Sequence, residues 1–352
     1  MPRRCLRLRD FYRIAIVQMA YLGDVALTLP LAEALRQIHP EARRALVVIP
    51  AAAPLAACAE AVDEVIVYDK RGVDAGFGGL RRCAQRLRQW GAELLLVLHR
   101  SLRTALLARW SSPQCAIGSS RSALPWVYAL RIPYGWHLHE VERNLSFLSV
   151  FAEVGEQWRA FANVSVRLRP LGEAEQQVER LLQSLGIRQM APLVVLAPGS
   201  AWQTKRWSPR HYATLARQLR AEGCSVVVTG ALAEKALCEE IARLAEVPSL
   251  AGRLEIPELL ALFRRTACVV CNDSAPIHLA ELVGTPVVAL FGPTIPEFGF
   301  APRLPRSCVI GRSLPCRPCS IHGGRRCPLG THACLEGILP QEVLPQVLAR
   351  LR

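Results

Sequence analysis

Val270-Cys-Asn-Asp-Ser-Ala-Pro-Ile-His-Leu-Ala-Glu-Leu-Val-Gly-Thr-Pro-Val-Val-Ala-Leu-Phe-Gly-Pro-Thr294 is the stretch on which the fold turns. An apolar run ends in the polar turn Asn272-Asp273-Ser274, a short helical pattern carries His278, and a second apolar run, Val287 to Phe291, enters Gly292-Pro293-Thr294. Strand, polar turn, helix and strand in that order make a βαβ unit. In an open parallel sheet, ligands bind at the carboxyl ends of the strands, where the following helix offers free N–H groups and the positive end of its dipole. An anion suits such a turn. A plain helix cap by Asp273 or Ser274 explains the same residues, and the turn alone does not choose.

The same alternation extends in both directions. Strands are expected at 14–17, 45–49, 64–68 and 94–98, with helices at 24–38, 54–61 and 80–90 between them. Short β-rich runs between amphipathic stretches mark a parallel sheet covered on both faces. Residues 121–136, with Pro125, Pro133 and four aromatics, read as an irregular loop beside a cleft. A helix is expected over 140–154, and a short strand ends at Arg167-Leu-Arg-Pro170. From Glu173 a helix opens a second half, with strands at 193–197, 225–229, 268–271 and 287–291 and helices at 211–222, 233–245 and 256–265. A last helix is expected over 339–352. The expected domains are 1–168 and 169–338, the latter with a cysteine-rich loop at 315–335, followed by that terminal helix. Two α/β halves predict a cleft between them.

With 352 residues, 51% hydrophobic and 20% charged, the chain reads as a folded protein with room for two cores. No apolar run approaches the ~20 residues that span a bilayer. The opening Met-Pro-Arg-Arg-Cys-Leu-Arg-Leu-Arg-Asp lacks the apolar core and cleavage site of a secretory leader, so a cytoplasmic protein is expected. Lys and Arg outnumber Asp and Glu by 43 to 29, a net +14 that suits nucleic acid, an anionic membrane face or an acidic substrate. Of thirteen cysteines, most stand alone in apolar context. Cys316, Cys319, Cys327 and Cys334 are the exception: a leading CxxC with two later cysteines, His322 and His332 nearby, is compatible with structural Zn²⁺, with reduced structural thiols or with a redox-labile loop.

Two further segments follow strands. After the first comes Gln18-Met-Ala-Tyr-Leu-Gly-Asp-Val-Ala-Leu-Thr-Leu-Pro30, where Gly23 permits close backbone approach. Asp24 there either caps a helix or accepts a proton from an incoming hydroxyl. The second half opens with Ala197-Pro-Gly-Ser-Ala-Trp-Gln-Thr-Lys-Arg-Trp-Ser-Pro209. It matches neither the Walker spacing nor the dinucleotide fingerprint, yet a small-residue turn followed by Lys205 suits a diphosphate.

In their order and spacing, Gly-Asp-Val-Ala-Leu-Thr-Leu-Pro (23–30), Pro-Gly-Ser-Ala-Trp-Gln-Thr-Lys-Arg-Trp (198–207), Asn-Asp-Ser-Ala-Pro-Ile-His-Leu-Ala (272–280) and Leu-Phe-Gly-Pro-Thr (290–294) resemble the ADP-heptose:lipopolysaccharide heptosyltransferases, most of all the heptosyltransferase II type. The resemblance covers nearly the whole chain. It implies a GT-B fold, two Rossmann-like domains whose parallel sheets face a cleft, and an inverting transfer of heptose from ADP-heptose to the Kdo- or heptose-bearing inner core of lipopolysaccharide. By that resemblance Asp24 is the general base, and Ser200, Thr204, Lys205, Glu234, Asp273, Ser274, Ala275 and His278 hold the donor. Lys205 and Ser200 fall to the diphosphate, Asp273 to heptose hydroxyls and Glu234 to the ribose. Gly23, Arg100, Arg103 and Arg121 fall on the acceptor side. The family commonly has glycine where Ala275 stands, and a methyl group there narrows the approach to the phosphates.

No cofactor is expected in catalysis, and structural zinc at the cysteine cluster is the one metal considered. Expected partners are the donor, a lipid-linked acceptor and the anionic inner face of the inner membrane, with no nucleic acid. Two alternatives are another nucleotide sugar on the same fold, and a basic, zinc-stabilised nucleic-acid-binding protein built on the cysteines.

Overall fold

A computed structural model describes residues 6–187 and 190–351, so half of the basic opening stretch, residues 1–5, lies outside the described residues. By internal contacts the chain divides into two units, 1–169 and 170–352.

In the first unit the β-rich runs become β1 (Arg13–Val17), β2 (Arg43–Val48), β3 (Glu64–Val67), β4 (Leu94–Val97), β5 (Cys115–Ser119) and β6 (Leu130–Ile132). They pair in parallel in the order β3-β2-β1-β4-β5-β6. The helices are α1 (Leu22–Ala26), α2 (Leu29–Ile38), α3 (Ala53–Cys58), α4 (Gly76–Trp90), α5 (Leu102–Ser111) and α6 (Glu140–Leu145). Val17 faces Val47 on one side and Val97 on the other, so β1 ends level with both neighbours. The central strands are buried on both faces, which is why they read as unbroken apolar runs and not as alternating ones. Ala15, Val17, Val47, Leu95 and Val97 pack under Leu80, Cys83 and Leu87 of α4 and Leu107 of α5.

The second unit holds β7 (Leu193–Ala197), β8 (Ser225–Val228), β9 (Cys268–Asn272), β10 (Val287–Phe291) and β11 (Cys308–Gly311), parallel in the order β11-β10-β9-β7-β8. Its helices are α7 (Gly172–Ser184), α8 (Pro209–Ala221), α9 (Lys235–Ala245), α10 (Ile256–Arg265), α11 (Pro276–Leu282), α12 (Ala333–Glu336) and α13 (Pro340–Leu348). Trp207 is fully buried, meets Tyr212 edge-on at 4.8 Å and donates its indole N–H to the Ile338 carbonyl at 2.9 Å. An aromatic body with a satisfied polar tip contributes a large share of apolar burial. The terminal helix α13 packs on α8 and belongs to this core.

Several elements differ from the sequence reading. The helix expected over 24–38 is two, because Pro30 has no N–H to donate and its ring crowds the carbonyl four residues back, so a new helix starts there. Residues 121–136 are not wholly irregular, since β6 adds to the sheet edge with Ile117 facing Leu130. Over 140–154, α6 gives way to a 3-10 turn at Ser146–Val150. The strand expected before Pro170 is one isolated bridge between Leu168 and Ala59.

Candidate active site

Each sheet has one place where the strand order reverses: between β1 and β4 in the first unit, and between β7 and β9 in the second. The loops leaving neighbouring strands diverge at such a point and open a crevice at the carboxyl ends, the usual ligand position in this architecture. The candidate residues gather at these two places.

In the second unit Asn272, the last residue of β9, is fully buried and ties the site together. Its Oδ1 accepts from the Trp207 N–H at 3.0 Å and the Tyr212 hydroxyl at 3.2 Å, while its Nδ2 donates to the Pro198 carbonyl at 2.7 Å. One amide thereby fixes the loop after β7 against the start of α8. The next residue, Asp273, is 2.5 Å from the Lys205 ammonium through Oδ2, and the same oxygen accepts from the Thr294 hydroxyl at 2.6 Å. Both members of the ion pair are largely buried. Ser274 donates to the Gly199 carbonyl at 3.2 Å, and the Arg206 guanidinium donates twice to the Ser200 carbonyl, at 2.9 and 2.7 Å.

Glu234 stands over the same loop, capped by the Ala231 N–H at 3.0 Å. A Cβ on Gly199 would lie 2.1 Å from the Glu234 carboxylate, so only glycine leaves the carboxylate its place. The Thr204 hydroxyl is spent locally, donating to the Gly324 carbonyl at 3.0 Å and accepting from the Gly324 N–H at 2.8 Å. It fastens the loop at 320–324 beside Lys205. His278 is buried on α11, one turn beyond Asp273 and Ser274. Ala275 has φ −50° and ψ −35°, ordinary helical values, so its methyl group costs no backbone strain. The result is a cation, a second basic group and two carboxylates around a small-residue turn, a set able to meet a diphosphate and sugar hydroxyls together.

In the first unit Asp24 lies in the first turn of α1 beside Gly23, both half-buried. Its Oδ2 accepts from the Tyr21 N–H at 3.1 Å, so the carboxylate is a helix cap. Next to it, Lys70 donates to the Met19 carbonyl at 2.7 Å; burial, then Arg71 and Arg103, push its pKa down while Asp24 opposes them. At the end of β4, His99 is lowered to about 4 by burial, with Lys70 and Arg100 adding to the effect. That ring is neutral at pH 7. The Arg100 guanidinium lies 4.2 Å over the Tyr134 ring, which Arg143 also approaches at 5.0 Å, and Arg121 lies 5.1 Å over Trp136. The two rings meet edge-on at 4.8 Å. Arg103 is exposed on the first turn of α5.

The sequence gives no role to Lys70, Thr294, Tyr134 or Trp136. Lys70 follows β3, far along the chain from Asp24, and only the strand order brings the two together.

The cysteine cluster does not form the zinc site considered at Cys316, Cys319, Cys327 and Cys334. Among the described residues, no three or more His, Cys, Asp or Glu side chains are arranged to hold a metal ion. Cys316 and Cys319 are exposed, and the Cys319 thiol donates to the Cys316 carbonyl at 3.0 Å. Cys327 sits in a turn whose backbone N–H groups, that of His332 foremost, lower its pKa, and Cys334 is buried beside Leu335 in the core. Each thiol has its own local setting.

The two parallel sheets are those of the GT-B fold. The chain belongs to glycosyltransferase family 9 (heptosyltransferase), whose sequence pattern matches residues 80–326, and it is therefore a transferase. Lipopolysaccharide heptosyltransferase 1 of Pseudomonas aeruginosa is 28% identical over 321 residues, covering 87% of this chain and 86% of that protein. The structure of ADP-heptose lps heptosyltransferase II from Escherichia coli superposes with a TM-score of 0.78 at 22% identity, over 96% of this chain and 98% of that one. A second E. coli heptosyltransferase, solved with ADP-2-deoxy-2-fluoro heptose, gives 0.69 at 20% identity, over 96% and 99%. The family assignment displaces the nucleic-acid-binding alternative.

Proposed function

We propose that the chain transfers heptose from ADP-heptose, with inversion, to the lipid-linked inner core of lipopolysaccharide. The observation that carries this reading is the largely buried Lys205–Asp273 pair at the second sheet's reversal point, in a member of the heptosyltransferase family. A diphosphate entering there meets the lysine and the Ser200 turn, and the negative charge that grows as the sugar leaves is stabilised by the same groups. Asp273, released from the ammonium, takes sugar hydroxyls; Glu234 takes the ribose, with Ser274, the Ala275 backbone and His278 beside the phosphates. Thr204 contributes by holding the loop at 320–324 against Lys205. The ligand of one similar structure, ADP-2-deoxy-2-fluoro heptose, supports the choice of donor.

On the acceptor side Asp24 receives the hydroxyl proton, and the Tyr21 bond fixes the direction of its carboxylate. A single displacement inverts the anomeric carbon, with oxocarbenium-like charge at the sugar. Arg100, Arg103 and Arg121 meet the acceptor's carboxylates and phosphates, Arg100 and Arg121 being held in place by their aromatic partners. No helix among the described residues is long and apolar enough to cross a membrane, and we place the enzyme at the cytoplasmic face of the inner membrane as a peripheral protein. The test is a panel of ADP-, UDP- and GDP-sugars with a core acceptor and mass detection of product. Transfer from ADP-heptose is expected, and its absence beside transfer from another donor overturns the donor assignment.

A further inference from the structure

The large aromatic side chains exposed among the described residues lie in the first unit: Tyr12, Tyr21, Phe77, Trp126 and Trp136. Most follow the carboxyl end of a strand. The loop between β3 and α4 shows the feature most clearly. Asp69 accepts from the N–H groups of Gly72 at 2.9 Å and Arg71 at 3.3 Å, and the Asp74 N–H donates to the Asp69 carbonyl at 3.0 Å. Asp74 is itself buried, paired with Arg86 at 2.7 Å and Arg82 at 3.4 Å. Both acids are turned to internal work. The loop they close presents Val73, 81% exposed, and the first turn of α4 presents Phe77, 69% exposed, with Arg71 nearby in the chain.

The neighbouring elements continue the pattern. Arg103, on the first turn of α5 next to the exposed Leu102, acts electrostatically on Lys70 at the base of that loop. The 3-10 turn Pro125–Val127 packs on α5 and carries Trp126, 73% exposed, with the exposed Arg121 preceding it. An Ala123 N–H to Arg100 carbonyl bond of 3.1 Å ties that turn to the end of β4. Apolar side chains held in water by ordered turns, alternating with cations, match a bilayer interface, where rings settle at headgroup depth and nearby arginines are drawn to anionic lipid.

We propose that this edge of the first unit, led by Val73, Phe77 and Trp126 with Arg71 among them, docks on an anionic lipid bilayer. The proposal rests on the reading of a lipid-linked acceptor: it sets the Asp24 end of the sheet at the membrane from which that acceptor is drawn. The apolar tips enter the interface and Arg71 meets lipid phosphates.

The test is sedimentation of the full chain with vesicles of phosphatidylcholine alone or with phosphatidylglycerol, in the absence of donor and acceptor. The wild type should partition onto the anionic vesicles at least about tenfold more strongly than onto neutral ones, and the Val73→Ser, Phe77→Ser, Trp126→Ser triple variant should lose about tenfold of that binding. Its melting temperature and ADP affinity should equal those of the wild type, since all three side chains are exposed. Arg71→Glu should weaken binding to anionic vesicles only. Equal wild-type binding to both vesicles, undiminished binding by the triple variant, or self-association of the chain abolished by the triple variant without vesicle binding overturns the proposal. Loss of transfer from ADP-heptose with vesicle binding intact counts instead against the catalytic reading.

Discussion

Lys205 is held by one carboxylate in a place where little water screens the pair, so its removal has two separable effects. Lys205→Ala leaves Asp273 buried with Thr294 as its remaining described partner, and a drop in unfolding free energy of about 3 kcal/mol is expected by urea denaturation. ADP affinity, read by calorimetry, should fall in the same variant by about tenfold or more. Unchanged affinity in a folded variant counts against the diphosphate role. Asp24→Asn isolates the other half of the chemistry. The amide still accepts the Tyr21 N–H, so fold and ADP binding should persist while kcat falls by about 10²–10⁴. Normal turnover rules out Asp24 as base. At this scale the sequence was informative about residue types in turns, and silent on partners that arrive from distant loops: Thr294 for Asp273, Lys70 beside Asp24. Ala275 shows the reverse: the glycine expected there is not required by the backbone, whose φ is helical.

Among elements, the strands were the most legible, because strands buried on both faces leave unbroken apolar runs whatever their neighbours. Helices were less so. In α5, Leu102, Ala105, Leu106, Leu107 and Ala108 are spread around the axis and give no clear stripe, and Pro30 splits a pattern that periodicity alone joins. The three-residue β6 is too short for any pattern to announce it. What the periodicity could not indicate at all is the clamp at Asn272, which joins β9, the loop after β7 and the start of α8. Asn272→Ala strands a buried N–H, a hydroxyl and a carbonyl at once, and a loss of about 2–4 kcal/mol is expected, or roughly 4–16 °C in melting temperature for a domain of this size. A calorimetric scan within 1–2 °C of wild type, taken as a rough threshold, shows that the clamp carries little.

For the whole molecule, the two-half organisation was readable because the alternation restarts after residue 170, whereas strand order was not, since it is set by crossovers that leave no mark on local composition. Yet strand order is what makes two candidate sites out of many loops. If donor binding belongs to the second sheet's reversal point, hydrogen exchange should slow on adding ADP across 198–206, 230–234 and 272–278, with the segment 18–26 unchanged. Protection confined to the first unit contradicts the assignment.

The two units sense charge at different range. Around the donor turn, Lys205 and Arg206 stand with Asp273 and Glu234, two charges of each sign. Seen from beyond a Debye length of about 8 Å at physiological ionic strength, that group casts almost no field, and a donor finds it only on contact. The arginine-studded face of the first unit has no such balance. Raising salt from 50 to 300 mM, a range chosen on the order of the Debye screening change, should therefore loosen the enzyme from anionic vesicles while leaving ADP affinity within about twofold.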